Sequence, residues 1–139
     1  MNRTDLQKLA DIRIAEAVAL LTRSPALSDG AYYLAGYSVE CALKACVAKM
    51  INAYDYPDKH LSNKSYTHNL ETLHQVAGLE AAFKAEVTAN AAFARNWIMV
   101  KDWNAESRYE RHSHAKAQKI IDAITDTTNG LLPWIKARW

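Results

Sequence analysis

The stretch from Ala31 to Met50, AYYLAGYSVECALKACVAKM, decides the fold. Alanine, leucine, valine, cysteine and tyrosine cover nearly every side of a helix wound from it. A helix that is apolar all round belongs in the middle of a bundle. Glu40 and Lys44 interrupt this surface one turn apart. An isolated buried charge costs several kcal/mol, on the order of a whole folding free energy, so the carboxylate must be paired or hydrogen-bonded. The stretch therefore names both the central element and the most conspicuous acid of the chain.

The pattern around it is helical throughout. Thr4 followed by Gln7 reads as a capping box opening a first helix, with Leu6, Ala10, Ala17 and Leu21 at helical spacing. Ser24-Pro25 stops that helix, and Ser28 or Asp29 can cap the central one, which runs to about Asn52. Ala53 to Tyr66, with Pro57 and Asn63, reads as the longest loop. Thr67 can cap a short third helix that Gly78 ends in the left-handed conformation. Leu79, Phe83, Val87, Ala94, Trp97 and Ile98 mark a fourth helix. Lys101 to Ser107 is polar. A last long helix is expected from Arg108 or Glu110 to Thr128, followed by one turn at Leu131–Ile135.

Val, Ile and Thr never alternate with polar residues over the length of a strand. The expected class is all-α: an antiparallel up-and-down bundle of four main helices plus short ones, forming a single domain over residues 1–139. Leu34, Val39, Cys41, Leu43, Phe83, Val87, Ile121 and Ile124 are expected in its core. Half of the 139 residues are hydrophobic, enough for one core of that size.

The formal charge of +2 is too small for electrostatic capture of nucleic acid without a local basic patch. Cys41 and Cys46 point about 140° apart on one helix and cannot pair with each other, which suits small core residues in a reducing cytosol. The N-terminal MNRTDLQKLADIR lacks an apolar targeting core. No apolar run approaches the ~18 charge-free residues of a membrane span. The expected location is the cytoplasm, without a membrane partner.

Arg108, Arg111, His112, His114 and Lys116 form the most basic short stretch. A helix N-terminus favours a phosphate, a guanidinium can grip one in bidentate fashion, and an imidazole can move a proton near neutrality. The competing reading is a solvated helix start whose arginines pair with Glu106 and Glu110. His112 and His114 would lie about 200° apart on a helix, so they share no face for a metal. His60, His68 and His74 lack an acidic or thiolate cluster at zinc-like spacing, and no metal or other cofactor is expected. No glycine-rich phosphate loop or nucleophile elbow occurs. Glu40 reads either as the partner of Lys44 or as an acid that orients Arg108 or His114. Tyr32, Tyr33 and Tyr37 read as core tyrosines or as a base-stacking platform. Thr67-His68 reads as a cap beside a satisfied imidazole.

Four pieces in order, YYLAGYSVECALKA in the central helix, Tyr66-Thr67-His68-Asn69-Leu70, WNAESRY at Trp103–Tyr109 and Pro133-Trp134-Ile135, resemble HEPN domains (higher eukaryotes and prokaryotes nucleotide-binding). The resemblance covers nearly the whole chain. It implies a helical, dimeric protein of a bacterial defence or toxin–antitoxin type system, with RNA or a nucleotidyltransferase-like protein as partner. It further implies a metal-independent endoribonuclease in which Arg108 clamps phosphate, His114 serves as acid and base, and Glu40 orients them. Arg111, His112 and Lys116 would assist in holding the RNA. Tyr109 directly follows Arg108 and Lys116 stands two beyond His114, where the stricter toxin form carries a polar residue and a tyrosine. The alternative implied by that departure is a non-catalytic module that binds a nucleotidyltransferase partner or a nucleotide.

Overall fold

The computed structural model describes residues 1–51, 56 and 58–139, and every regular element among them is helical. Residues 52–55 and 57, where the expected long loop begins, lie outside the described ones. The order is α1 (Arg3–Thr22), α2 (Ser28–Met50), α3 (Lys59–Ser65), α4 (Leu70–Val76), α5 (Glu80–Ala89), α6 (Ala91–Val100), a 3-10 turn (Ala105–Tyr109), α7 (His114–Thr125) and α8 (Leu131–Lys136).

Helix α2 is the centre. From Ala31 to Val47 every residue is buried except Tyr33, Leu34, Tyr37 and Lys44. Helix α1 lies along it through Ala10, Ala17 and Leu21. Arg3 donates to the carbonyl of Trp139 and Lys49 to that of Arg138, so the start of α1 and the end of α2 meet at the C-terminus. The two helices are therefore antiparallel, as their short connection requires. Helix α7 packs on α2 with Ala117, Ile120, Ile121, Ala123 and Ile124. Phe83, Phe93, Trp97, Trp134 and His74 form an aromatic cluster beneath α5 and α6.

Several boundaries differ from the sequence reading for local reasons. The capping box of α1 belongs to Asn2 and Asp5, each bonding the other's backbone N–H at 3.0 Å, rather than to Thr4 and Gln7. Helix α2 starts without a side-chain cap, because Leu27 occupies the cap position, and Asp29, inside the first turn, accepts the His112 N–H of the segment before α7. Asp58 caps α3 through the His60 N–H, giving a helix inside the expected loop. Asn69, not Thr67, caps α4 through the Thr72 N–H. Gly78 has φ +69° and ends that turn as expected. The expected fourth helix is two helices. Asn90 leaves helical geometry at φ −128°, ψ 96°, accepts the Phe93 N–H, and donates to Glu86 and Asn129. The last long helix begins only at His114, capped by Ser113, which leaves Arg108 in the preceding 3-10 turn. Leu34 and Val87 sit half-buried at the edge of the core, and the other six expected core residues are buried.

Candidate functional site

The basic stretch lies on the 3-10 turn and the strand-like link into α7. Trp103, packed over α2, fixes the start of this segment. Arg108 is exposed, 3.8 Å from Glu106, with its guanidinium 4.8 Å from the centre of the Tyr109 ring. Hydrogen bonding toward the Tyr109 and Tyr33 hydroxyls favours its charged form still further. The Arg111 side chain is 94% exposed and its Nε lies 3.2 Å from Asp29. His114 is the first residue of α7 and is exposed; among the described residues its side chain makes no hydrogen bond or ion pair. Lys116 is exposed and its ammonium stands 4.9 Å from the Tyr32 ring centre.

His112 differs from its neighbours. Its ring stacks on Tyr32 with centroids 3.9 Å apart and is closed to solvent. Its backbone N–H donates to Asp29, and its Nε2–H donates to the Ser107 carbonyl at 3.1 Å. These contacts splice the link before α7 onto the start of α2, so His112 holds the segment rather than offering itself to a phosphate. Burial, reinforced by Glu110 and Asp102, raises the pKa of Tyr32, which stays a neutral stacking partner. An open groove of about 720 Å³ runs past Arg111, His112 and Asp29, and a smaller one of about 280 Å³ past Tyr32, Glu110, Lys116 and Lys119.

Glu40 does not join this edge. Its carboxylate is 2% exposed and accepts from Lys44 Nζ at 2.7 Å. Both of its oxygens face His68 Nδ1, at 3.0 and 3.1 Å. Its partners are thus Lys44 and His68 rather than Arg108 or His114. Sequence reasoning found the lysine one turn away and missed the histidine, 28 residues on. The available signal was a carboxylate in an apolar helix needing more than one donor, and a histidine directly before a capped helix. Tyr33 and Tyr37 are half-buried, their rings nearly parallel with centroids 6.0 Å apart.

Burial pushes the Cys41 and Cys46 thiols up to about 11, so neither is a nucleophile at neutral pH. Among the described residues no three His, Cys, Asp or Glu gather as a metal site, and no helix is long and apolar enough to cross a membrane. Comparison with family models, curated proteins and solved structures finds no match to this chain.

Proposed function

We propose that the chain is a HEPN-like four-helix bundle of a bacterial defence or toxin–antitoxin type system, paired as a homodimer in the cytoplasm and acting on RNA as a metal-independent endoribonuclease. One observation supports this reading most. Arg108, Arg111, His114 and Lys116 stand exposed along one short edge, and none is paired with a buried carboxylate. Exposed ion pairs such as Arg108–Glu106 are worth about 0–1 kcal/mol, so a phosphate can displace the acid. Arg108 would then steady the charge of the phosphorane, and an imidazole would carry the proton. A second copy would double the cationic edge, as the resemblance implies.

A second reading is favoured by a different observation. Glu40 is engaged elsewhere, and His114 stands in solvent without a group to aim it. That arrangement suits a non-catalytic module that engages a nucleotidyltransferase-like partner or a nucleotide. One experiment separates the two: incubation of the purified protein and of Arg108→Ala with RNA in chelator, with sedimentation to establish the dimer. Cleavage that falls about 10²–10³-fold in Arg108→Ala supports the ribonuclease. Intact RNA in the presence of folded dimer selects the module.

A further inference from the structure

The Glu40–His68 contact is built like a proton-transfer dyad. A carboxylate can only accept, so the Nδ1 of His68 must donate to it. In the neutral tautomer that donates from Nδ1, Nε2 carries the free lone pair. The ring is 60% exposed while the carboxylate is 2% exposed, so the anchored nitrogen lies at the protein and the free one at solvent. Lys44 Nζ donates to the same carboxylate at 2.7 Å and helps hold it in place. A buried acid that fixes the tautomer of a histidine and stabilises its cation is the arrangement that makes an imidazole a prompt acid and base. His114 has no such support.

The dyad also sits on a surface suited to a single strand. Tyr33, Tyr37, Glu40 and Lys44 follow the i, i+4, i+7, i+11 stripe of α2. Tyr33, Tyr37 and Lys44 are among the few residues of that helix left partly open. The two tyrosines lie nearly parallel, at 17°, a surface on which bases can stack. Arg13 flanks Tyr37 at 6.0 Å and Arg108 lies beside Tyr33, so guanidinium groups border the stripe. Their partners, Glu16 and Glu106, belong to partly exposed pairs that a phosphate can replace.

We infer that His68, held by Glu40, is the proton-transferring residue of this chain for cleavage of single-stranded RNA, in place of His114. The inference rests on the ribonuclease reading above. His68 Nε2 takes the proton from the 2′-hydroxyl as the 2′-oxygen bonds to phosphorus. The resulting imidazolium, stabilised by Glu40, returns that proton to the 5′-oxygen as the phosphorus–5′-oxygen bond breaks. The products are a 2′,3′-cyclic phosphate and a 5′-hydroxyl, with no net proton and no other reactant consumed. His68 touches the substrate; Glu40 is a positioning residue.

The test uses the full chain, a labelled single-stranded RNA and chelator, with wild type, His68→Asn, His68→Ala, Glu40→Gln and His114→Ala. His68→Asn keeps an amide donor for Glu40, and circular dichroism checks that it folds. It should lose about 10²–10⁴-fold in rate. Added imidazole should restore part of the loss in His68→Ala, which a merely structural histidine would not allow. Glu40→Gln should fall between wild type and His68→Asn, and His114→Ala should lose less than His68→Asn. A folded His68→Asn that cleaves like wild type overturns the inference and leaves the ribonuclease reading standing. Folded wild-type protein that leaves RNA intact overturns both.

Discussion

Substituting Gly36 by alanine tests how α2 carries the functional edge. Gly36 lies under the indole of Trp103, which is 2% exposed. A Cβ built on Gly36 would fall on the Cγ, Cδ1 and Cδ2 atoms of that ring, nearer than real Cβ atoms approach anything. Carbon atoms sit comfortably about 3.5–4.0 Å apart, so the indole must retreat by more than ~1 Å. Accommodating an extra methyl in a packed core costs about 1–3 kcal/mol. Expelling the indole altogether forfeits roughly 5 kcal/mol, from about 200 Å² of ring at about 25 cal/mol per Å². Against this, alanine is about 1 kcal/mol better than glycine inside a helix. The net expectation is a loss of about 0–4 kcal/mol, at roughly 3–4 °C of melting temperature per kcal/mol for a chain of this length. Thermal unfolding followed by tryptophan emission measures it, with a red shift reporting the displaced ring. Trp103 leads into the 3-10 turn that carries Arg108, so on the proposed ribonuclease reading RNA cleavage should fall as well. A Gly36→Ala protein that melts above the wild-type temperature would refute the argument, because helix propensity would then have outweighed the contact.

Glu40→Ala strands Lys44 and His68 and should cost about 2–4 kcal/mol by urea unfolding, whereas Glu40→Gln, which keeps an acceptor, should cost less. A change within about 0.5 kcal/mol for Glu40→Ala would remove its structural role. Burial lowers the pKa of His74 below its ordinary 6.5, so on acidification the unfolded chain takes up the proton first. Stability should therefore decline as pH falls below 6.5 toward the lowered folded value, and His74→Leu should flatten that part of the curve in melts across the range. Cys41 and Cys46, with pKa values pushed to about 11, should react with a disulfide thiol reagent only as fast as the protein unfolds. Labelling of the folded protein at the rate of a free thiol would contradict their burial.

Local chemistry was legible and long-range chemistry was not. The all-round apolar run from Ala31 to Met50 and the left-handed Gly78 are properties of short segments, and both emerge as expected. The break at Asn90 was invisible because Phe83, Val87, Ala94 and Trp97 keep a helical rhythm across it. What ends α5 is a side chain bonded to Asn129, 39 residues away. The cap of α1 was misplaced by two residues because Asn2 with Asp5 and Thr4 with Gln7 both carry the capping-box spacing, and the local sequence does not choose between them. At the candidate site the basic run from Arg108 to Lys116 was plain, and the exposure of Arg108 and His114 follows from lying before and at the start of α7. The demand of Glu40 for a partner was equally plain. The identity of its second partner was not, since His68 reaches it only through the fold.

The Glu40–Lys44–His68 cluster raises a last question of energetics. Replacing a buried ion pair by well-packed apolar groups of similar volume is often neutral, or stabilising by about 1–4 kcal/mol. Glu40 is 2% exposed while Lys44 and His68 are 25% and 60% exposed, so the acid alone occupies space that a methionine could fill. This makes the cluster a poor device for stability alone. The triple replacement Glu40→Met, Lys44→Met and His68→Leu distinguishes the two uses. If the cluster exists for proton transfer, the triple variant should unfold at an equal or higher urea concentration than wild type while its RNA cleavage falls to the level of His68→Asn. If the cluster is structural, the triple variant should lose stability comparable to Glu40→Ala, because no apolar packing would replace what the ions hold. A less stable triple variant that still cleaves RNA would assign Glu40 and His68 to the scaffold.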